Sequence, residues 1–112
     1  GVIVDGAIRD VDEARELGFP IFARNAMPFT ARGRIVEESC NEPITIAGIT
    51  VAPGDLVIAD STGVVFVSRA DAEQIMVEAE RIAHREAQMT RDVLAGVPVT
   101  EVMGHNYESM LQ

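Results

Sequence analysis

The chain has 112 residues, 47% of them hydrophobic, and a formal net charge of -9. That length suits one domain and is short for two, and the apolar fraction excludes a chain disordered by composition. The acidic balance argues against a nucleic-acid surface, which needs clustered cations to neutralise phosphate; every one of the nine cations is arginine.

With four Phe, one Tyr and no Trp, the core must be built from Val, Ile, Ala, Leu and Met. Cys40 is the single cysteine and cannot form an internal disulfide, which fits a reducing, cytoplasmic compartment. No apolar run approaches the roughly 20 residues that span a bilayer, and no stretch reads as a signal peptide.

Val2, Ile3 and Val4 are β-branched and continuous and predict a short buried strand. Asp5 and Gly6 are expected to break it. A central strand so near the first residue needs partners on both sides, so residues 1–112 are expected to be one domain, the later part of a longer one. Val11 to Leu17 predicts a short helix, with Gly18 as its stop and Pro20 barring continuation. Ile21 to Ala23 predicts a second strand, and the β-α-β order a parallel pair.

Arg24 to Arg34 reads as an irregular segment, broken by Pro28 and Gly33. From there the pattern is of mostly antiparallel strands: Ile35-Val36, Ile44 to Ile46, Ile49 to Val51, Leu56 to Ile58 and Val64 to Val67. Pro53-Gly54 fits a type II turn, and Asp60 to Gly63 a hairpin turn ending in a left-handed glycine. Ser68 and Asp71 have capping-box spacing and predict the start of a long helix. Ala72, Ile75, Met76, Ala79, Ile82 and Ala83 form its apolar face, and the pattern continues to Gly96. About 40 Å of helix would exceed what so small a domain must cover. Its far end is expected to pack on another subunit, with a kink near His84 to Gln88 as the plainer alternative. The tail from Val97, with Tyr107, Met110 and Leu111, reads as a further helical turn or an arm.

Between the first strand and the first helix stands the pair Arg9-Asp10. Asp10 with Glu13 has the spacing of a helix-capping arrangement, which would leave Arg9 an ordinary surface cation. The same corner also suits chemistry. A carboxylate there is a hard oxygen ligand for Mg²⁺ or Mn²⁺. An adjacent guanidinium offers a fixed fork to a carboxylate or enolate oxygen, and as a permanent cation it would be a poor base. Spacing alone leaves both readings open. His84 and His105 do not form a zinc pair with each other or with Cys40. There is no G-x-S-x-G elbow, Walker loop or G-x-G-x-x-G. Glu80 and Glu86 on the long helix read first as solvated side chains.

The phrases V-D-G-A-I-R-D, L-G-F-P-I-F-A-R, V-x-P-G-D-L-V-I-A-D and G-V-V-F-V together resemble the family shared by the regulator of ribonuclease activity A and the 4-hydroxy-4-methyl-2-oxoglutarate aldolases. The match runs from Gly1 to about Gly96. The resemblance implies an α/β fold of the swivelling β/β/α kind, like that of phosphohistidine domains, with a mixed sheet and a long C-terminal helix, assembled as a homotrimer or hexamer. It implies that Asp10 holds the divalent metal and that Arg9 contacts the 2-oxo acid and its enolate. It also implies that a glutamate from a neighbouring subunit's late helix contacts metal-bound water, with Glu86 as the candidate. The family's glycine-rich loop, which binds the substrate carboxylate, is not in this sequence. The implied activity is that of a lyase: metal-dependent cleavage of 4-hydroxy-4-methyl-2-oxoglutarate, or decarboxylation of oxaloacetate, to pyruvate. The alternative within the family is a non-catalytic regulator that inhibits a ribonuclease by protein contact.

Overall fold

A computed structural model describes residues 1–104 of the chain. His105, Tyr107, Met110 and Leu111, and with them part of the expected arm, lie outside the described residues. The architecture is mixed α/β, in two compact units that divide after Arg69. Among the described residues the strands form three two-stranded ribbons and not one continuous sheet.

In the first unit, β1 (Val2–Ile8) and β2 (Ile21–Ala26) pair in parallel across the short helix α1 (Val11–Glu16). β1 is longer than its apolar run. The register shifts between Val4 and Ala7, so Asp5 and Gly6 form a bulge rather than an end. The strand survives its acidic residue because the Asp5 carboxylate is satisfied. It accepts from the Arg24 Nε on β2 and, at 2.8 Å, from the Ala47 N–H. β2 likewise takes in Arg24 to Ala26, residues expected to be irregular. Gly18 sits in the left-handed region at φ 61° and ends α1 as anticipated.

β3 (Ile44–Ile46) and β4 (Ile49–Val51) form an antiparallel hairpin. Its two-residue loop, Ala47-Gly48, has φ of 51° and 83°, as a type I′ turn requires. The Ala47 N–H that Asp5 accepts ties this hairpin to the first ribbon. β5 (Leu56–Ala59) and β6 (Val64–Val67) form the third ribbon. Before it, Gly54 at φ 93° and the Asp55 N–H to Ala52 carbonyl bond of 3.1 Å make the expected Pro53-Gly54 turn.

Three local expectations fail for identifiable reasons. Gly63 does not adopt a positive φ. The Asp60 side chain shapes that turn instead, accepting from the N–H groups of Thr62 at 2.7 Å and Gly63 at 3.2 Å. Ile35-Val36 is not a strand; the two side chains are 73% and 92% exposed. The Arg34 and Ile35 N–H groups both turn back to the Ala31 carbonyl, which removes them from any ladder. The long helix starts at Ala72, with Asp71 in the cap position in place of Ser68. The Arg69 N–H is held by the Asp55 carboxylate at 3.0 Å, which keeps the chain out of the helix until after that point.

The second unit contains α2 (Ala72–Leu94) and α3 (Val99–Val102). α2 has 23 residues, about 35 Å at 1.5 Å per residue, and runs without interruption through His84 to Gln88. It closes in a Schellman motif. Gly96 is left-handed at φ 94°, its N–H reaches the Val93 carbonyl, and the Val97 N–H reaches that of Asp92. The helix keeps its apolar stripe, yet none of its residues is buried. Across the described residues only Val67 is a buried hydrophobic, at 5% exposure.

Backbone-bound carboxylates therefore carry much of the organisation of the first unit, and this sets its acid stability. Arg24 beside Asp5, together with the Ala47 N–H, holds that carboxyl below the ordinary aspartate value of 3.8. The Ala52 and Arg69 N–H groups do the same for Asp55, and those of Thr62 and Gly63 for Asp60. A carboxyl with a lowered folded pKa contributes stability that is present in full above the unfolded value. That stability is lost as pH falls through the lower folded value. Thermal melts are expected to be flat with pH down to about 5 and then to fall steeply, with Asp5→Asn and Asp55→Asn each shallowing that acid limb. A limb unchanged in both variants would show that these carboxylates do not set it.

Candidate active site

Parallel strands end on the same edge, and in α/β proteins ligands bind at the carboxyl ends of such strands. β1 stops at Ile8, which pairs with Ala26 at the end of β2. Arg9 and Asp10 follow directly and α1 begins at Val11. The corner is turned by Asp10 itself, which sits in the left-handed region at φ 60°, ψ 40°. Among non-glycine residues Asp and Asn adopt that conformation most readily.

Asp10 occupies the cap position of α1, and its carbonyl accepts the Ala14 N–H at 3.0 Å. Its side chain makes no capping bond, so the expected side-chain capping role is not the one the structure gives it. Both carboxylate oxygens instead face Arg9, whose Nε donates to them at 2.9 and 3.1 Å. A capping bond is worth about 1 kcal/mol, and an exposed ion pair at most about the same. The corner also carries the cost of a left-handed residue. Local stability therefore does not explain the arrangement, and backbone and side-chain choices of this kind cluster at functional sites.

The pair is well placed for ligands. Arg9 and Asp10 side chains are 50% and 59% exposed. Among the described residues Arg9 spends one of its five N–H donors on Asp10, leaving its terminal nitrogens to face a ligand. Asp10 is a single hard carboxylate. The described residues contain no group of three or more His, Cys, Asp or Glu that would hold a metal by themselves. That donor set fits Mg²⁺ or Mn²⁺, which take one or two carboxylates and fill their remaining positions with water and substrate oxygens. It does not fit a structural zinc centre.

The other candidates lie elsewhere. Glu86 and Glu80 are on α2, in the second unit, and both are exposed. Glu86 stands beside a small hollow lined by Met89, Val93, Leu94, Val102 and Met103. His84 is exposed on α2, and Cys40 is an exposed free thiol. A larger hollow of about 540 Å³ in the first unit is walled by Ile3, Ile21, Phe22, Ile46, Ile49 and Phe66. Its two carboxylates are already engaged, Asp5 with Arg24 and Asp60 with its own turn. This hollow is the gap between ribbons with apolar side chains along its walls. Asp5 had one signal in the sequence: a carboxylate inside an apolar strand must find a donor, and Arg24 on the next strand is the donor it finds.

A family model described as RraA-like, Aldolase/RraA, matches residues 1–66. The chain is 31% identical over 103 residues to an uncharacterized protein of Methanocaldococcus jannaschii, covering 92% of this chain and 49% of that protein. It is 35% identical over 81 residues, 72% of this chain and 38% of the relative, to a protein of Halalkalibacterium halodurans with the provisional name 4-hydroxy-4-methyl-2-oxoglutarate aldolase. A crystal structure of an uncharacterized protein from Pseudomonas syringae superposes with a TM-score of 0.83 at 26% identity, covering 88% of this chain and 50% of that one. The fold is thus that of a mixed α/β protein with known structural kin. The chain belongs to the RraA-like, Aldolase/RraA family, and it spans about half the length, or less, of the relatives it matches.

Proposed function

We propose that Arg9 and Asp10 form part of the active site of a divalent-metal-dependent lyase that releases pyruvate from 2-oxo acids. The observation that carries this reading is the latch between them: Asp10 turns its carboxylate to Arg9 and not to the helix it precedes. Family membership and the provisional aldolase name of a relative support it. In the same reading the domain is a swivelling β/β/α fold, works as a homotrimer or hexamer in the cytoplasm, and receives Glu86 from a neighbouring subunit beside metal-bound water. No described helix is long and apolar enough to cross a membrane.

Asp10 would hold Mg²⁺ or Mn²⁺, which supplies Lewis acidity toward the carboxylate and keto oxygens of the substrate. Arg9 directs its free donors at the keto oxygen, where negative charge grows as the carbon–carbon bond breaks. With 4-hydroxy-4-methyl-2-oxoglutarate, water takes the 4-hydroxyl proton and the C3–C4 bond breaks. The electron pair becomes the enolate of pyruvate, and water returns a proton to C3. With oxaloacetate, carbon dioxide leaves and the same enolate forms. Arg9 serves both reactions because it stabilises the shared species and exchanges no proton.

The test is pyruvate release by the natural full-length protein from both substrates. Removing the metal with a chelator is expected to lower the rate at least about 100-fold, with recovery on adding Mg²⁺. Turnover indifferent to chelation would contradict the reading. The second reading, a regulator that binds a ribonuclease, has the other half of the family description in its favour. Salt-sensitive binding to an arginine-rich segment, unchanged by mutation of Arg9 and Asp10, would mark it.

A further inference from the structure

β1 carries one residue more than β2 at a single place. Val4 pairs with Ala23 and Ala7 with Asn25, so Asp5 and Gly6 together stand opposite Arg24. Paired residues share a face of the ribbon, and Ala23 and Asn25, two apart on β2, share that face as well. Val4 and Ala7 therefore lie on one face, where a regular strand puts residues three apart on opposite faces. The bulge turns over everything that follows it: Ala7, Ile8 and the exit to Arg9. Bulges are rare in parallel pairs, and beside active sites they re-aim a side chain.

A bulge holds its place only if something pins it, and here the pin sits on the bulge itself. One Asp5 carboxylate oxygen accepts from the Nε of Arg24, the residue directly across from the bulge. The other accepts from the Ala47 N–H at 2.8 Å. Ala47 presents that N–H from the turn of the β3–β4 hairpin, at φ 51°, a left-handed conformation that costs a non-glycine residue about 1–2 kcal/mol. Three strand segments thus meet on one carboxylate. The clasp adds little as an ion pair: the Arg24 side chain is 61% exposed, and exposed pairs give at most about 1 kcal/mol. Its main effect is on the geometry of β1.

We propose that Asp5 and Arg24 are positioning residues for the corner. Their clasp across the bulge fixes the phase in which β1 delivers Arg9 and Asp10, and the Ala47 amide anchors it to the neighbouring hairpin. The inference rests on the lyase reading of Arg9 and Asp10. It adds that the aim of the pair is set three to five residues upstream, by side chains that touch neither metal nor substrate.

The experiment measures kcat and KM for oxaloacetate with the natural full-length protein, at saturating Mg²⁺ and well below the melting temperature of every sample. Asp5→Asn and Arg24→Gln are each expected to lower kcat roughly 10- to 100-fold, the effect of misplacing a catalytic group by about 1 Å. KM should stay within about threefold. The two residues act through one contact, so the double variant should be little worse than the poorer single one. Arg24→Lys should restore part of kcat. The control is Asp55→Asn, which loosens another carboxylate that holds backbone N–H groups in the same unit, those of Ala52 and Arg69. It should keep kcat within about twofold of the wild type. A kcat loss in Asp55→Asn as large as in Asp5→Asn would show general loosening of the unit and overturn the positioning role. If the wild type turns over oxaloacetate and Arg9→Ala does not, yet Asp5→Asn and Arg24→Gln keep the wild-type kcat, the positioning role is overturned and the lyase reading stands. If the wild type turns over neither oxaloacetate nor 4-hydroxy-4-methyl-2-oxoglutarate, both fall together.

Discussion

Asp10→Asn is expected to lower kcat/KM for pyruvate release at least about 1,000-fold, with the fold intact. Asparagine is the informative replacement because it tolerates the left-handed backbone that Asp10 adopts at φ 60°. Alanine would add backbone strain to the loss of the carboxylate. The side chain makes no capping bond, so removing its charge costs α1 no hydrogen bond at that position. The remaining oxygen of asparagine is neutral and a much weaker ligand for a hard divalent cation. The loss should thus appear in activity and metal affinity and not in the melting temperature. Steady-state kinetics over a Mg²⁺ series, with a thermal melt of each sample, checks this. A variant that loses stability and activity in parallel would return Asp10 to a structural role.

Arg9→Ala is expected to cost roughly 100- to 1,000-fold in kcat, the range for removing a donor aimed at a developing oxyanion. Arg9→Lys should recover only part. It restores a charge but neither the planar fork nor the Nε contact that fixes the arginine against Asp10. Arg9 and Asp10 touch, so their effects should not add; the double variant should be little worse than Asp10→Asn alone. Single-turnover measurements separate this from a binding defect. A loss confined to KM would make Arg9 a ground-state binding residue and not a stabiliser of the enolate.

Much of the first unit could be read from local chemistry. The β-α-β opening, the glycine stop at Gly18, the Pro53-Gly54 turn and the strands from Ile44 to Val67 all rest on signals a few residues long, and the structure shows each. What could not be read depended on contacts between distant segments. Asp5 looks like a strand breaker until Arg24 and Ala47 are seen to satisfy it. Ser68 looks like a cap until Asp55 is seen to hold the next amide. Ile35-Val36 has strand composition, but its amides are drawn into the turn at Ala31. In the candidate site, Arg9 and Asp10 were visible as a pair, and the resemblance gave them roles. Their latch and the left-handed backbone of Asp10 were not visible, because capping and ligand binding demand the same residue types at the same place.

The central claim is that Asp10 anchors a divalent ion that Arg9 then helps load with an enolate-like ligand. Mn²⁺ binding to the natural full-length protein, followed by the loss of the free-ion signal in electron paramagnetic resonance, tests it most directly. Oxalate, a planar mimic of the pyruvate enolate, serves as the second ligand. The account predicts that the wild type takes up Mn²⁺ and that oxalate tightens the uptake. Asp10→Asn should bind little of the ion, and Arg9→Ala should bind it without the oxalate effect. Equal uptake by the wild type and Asp10→Asn would contradict it.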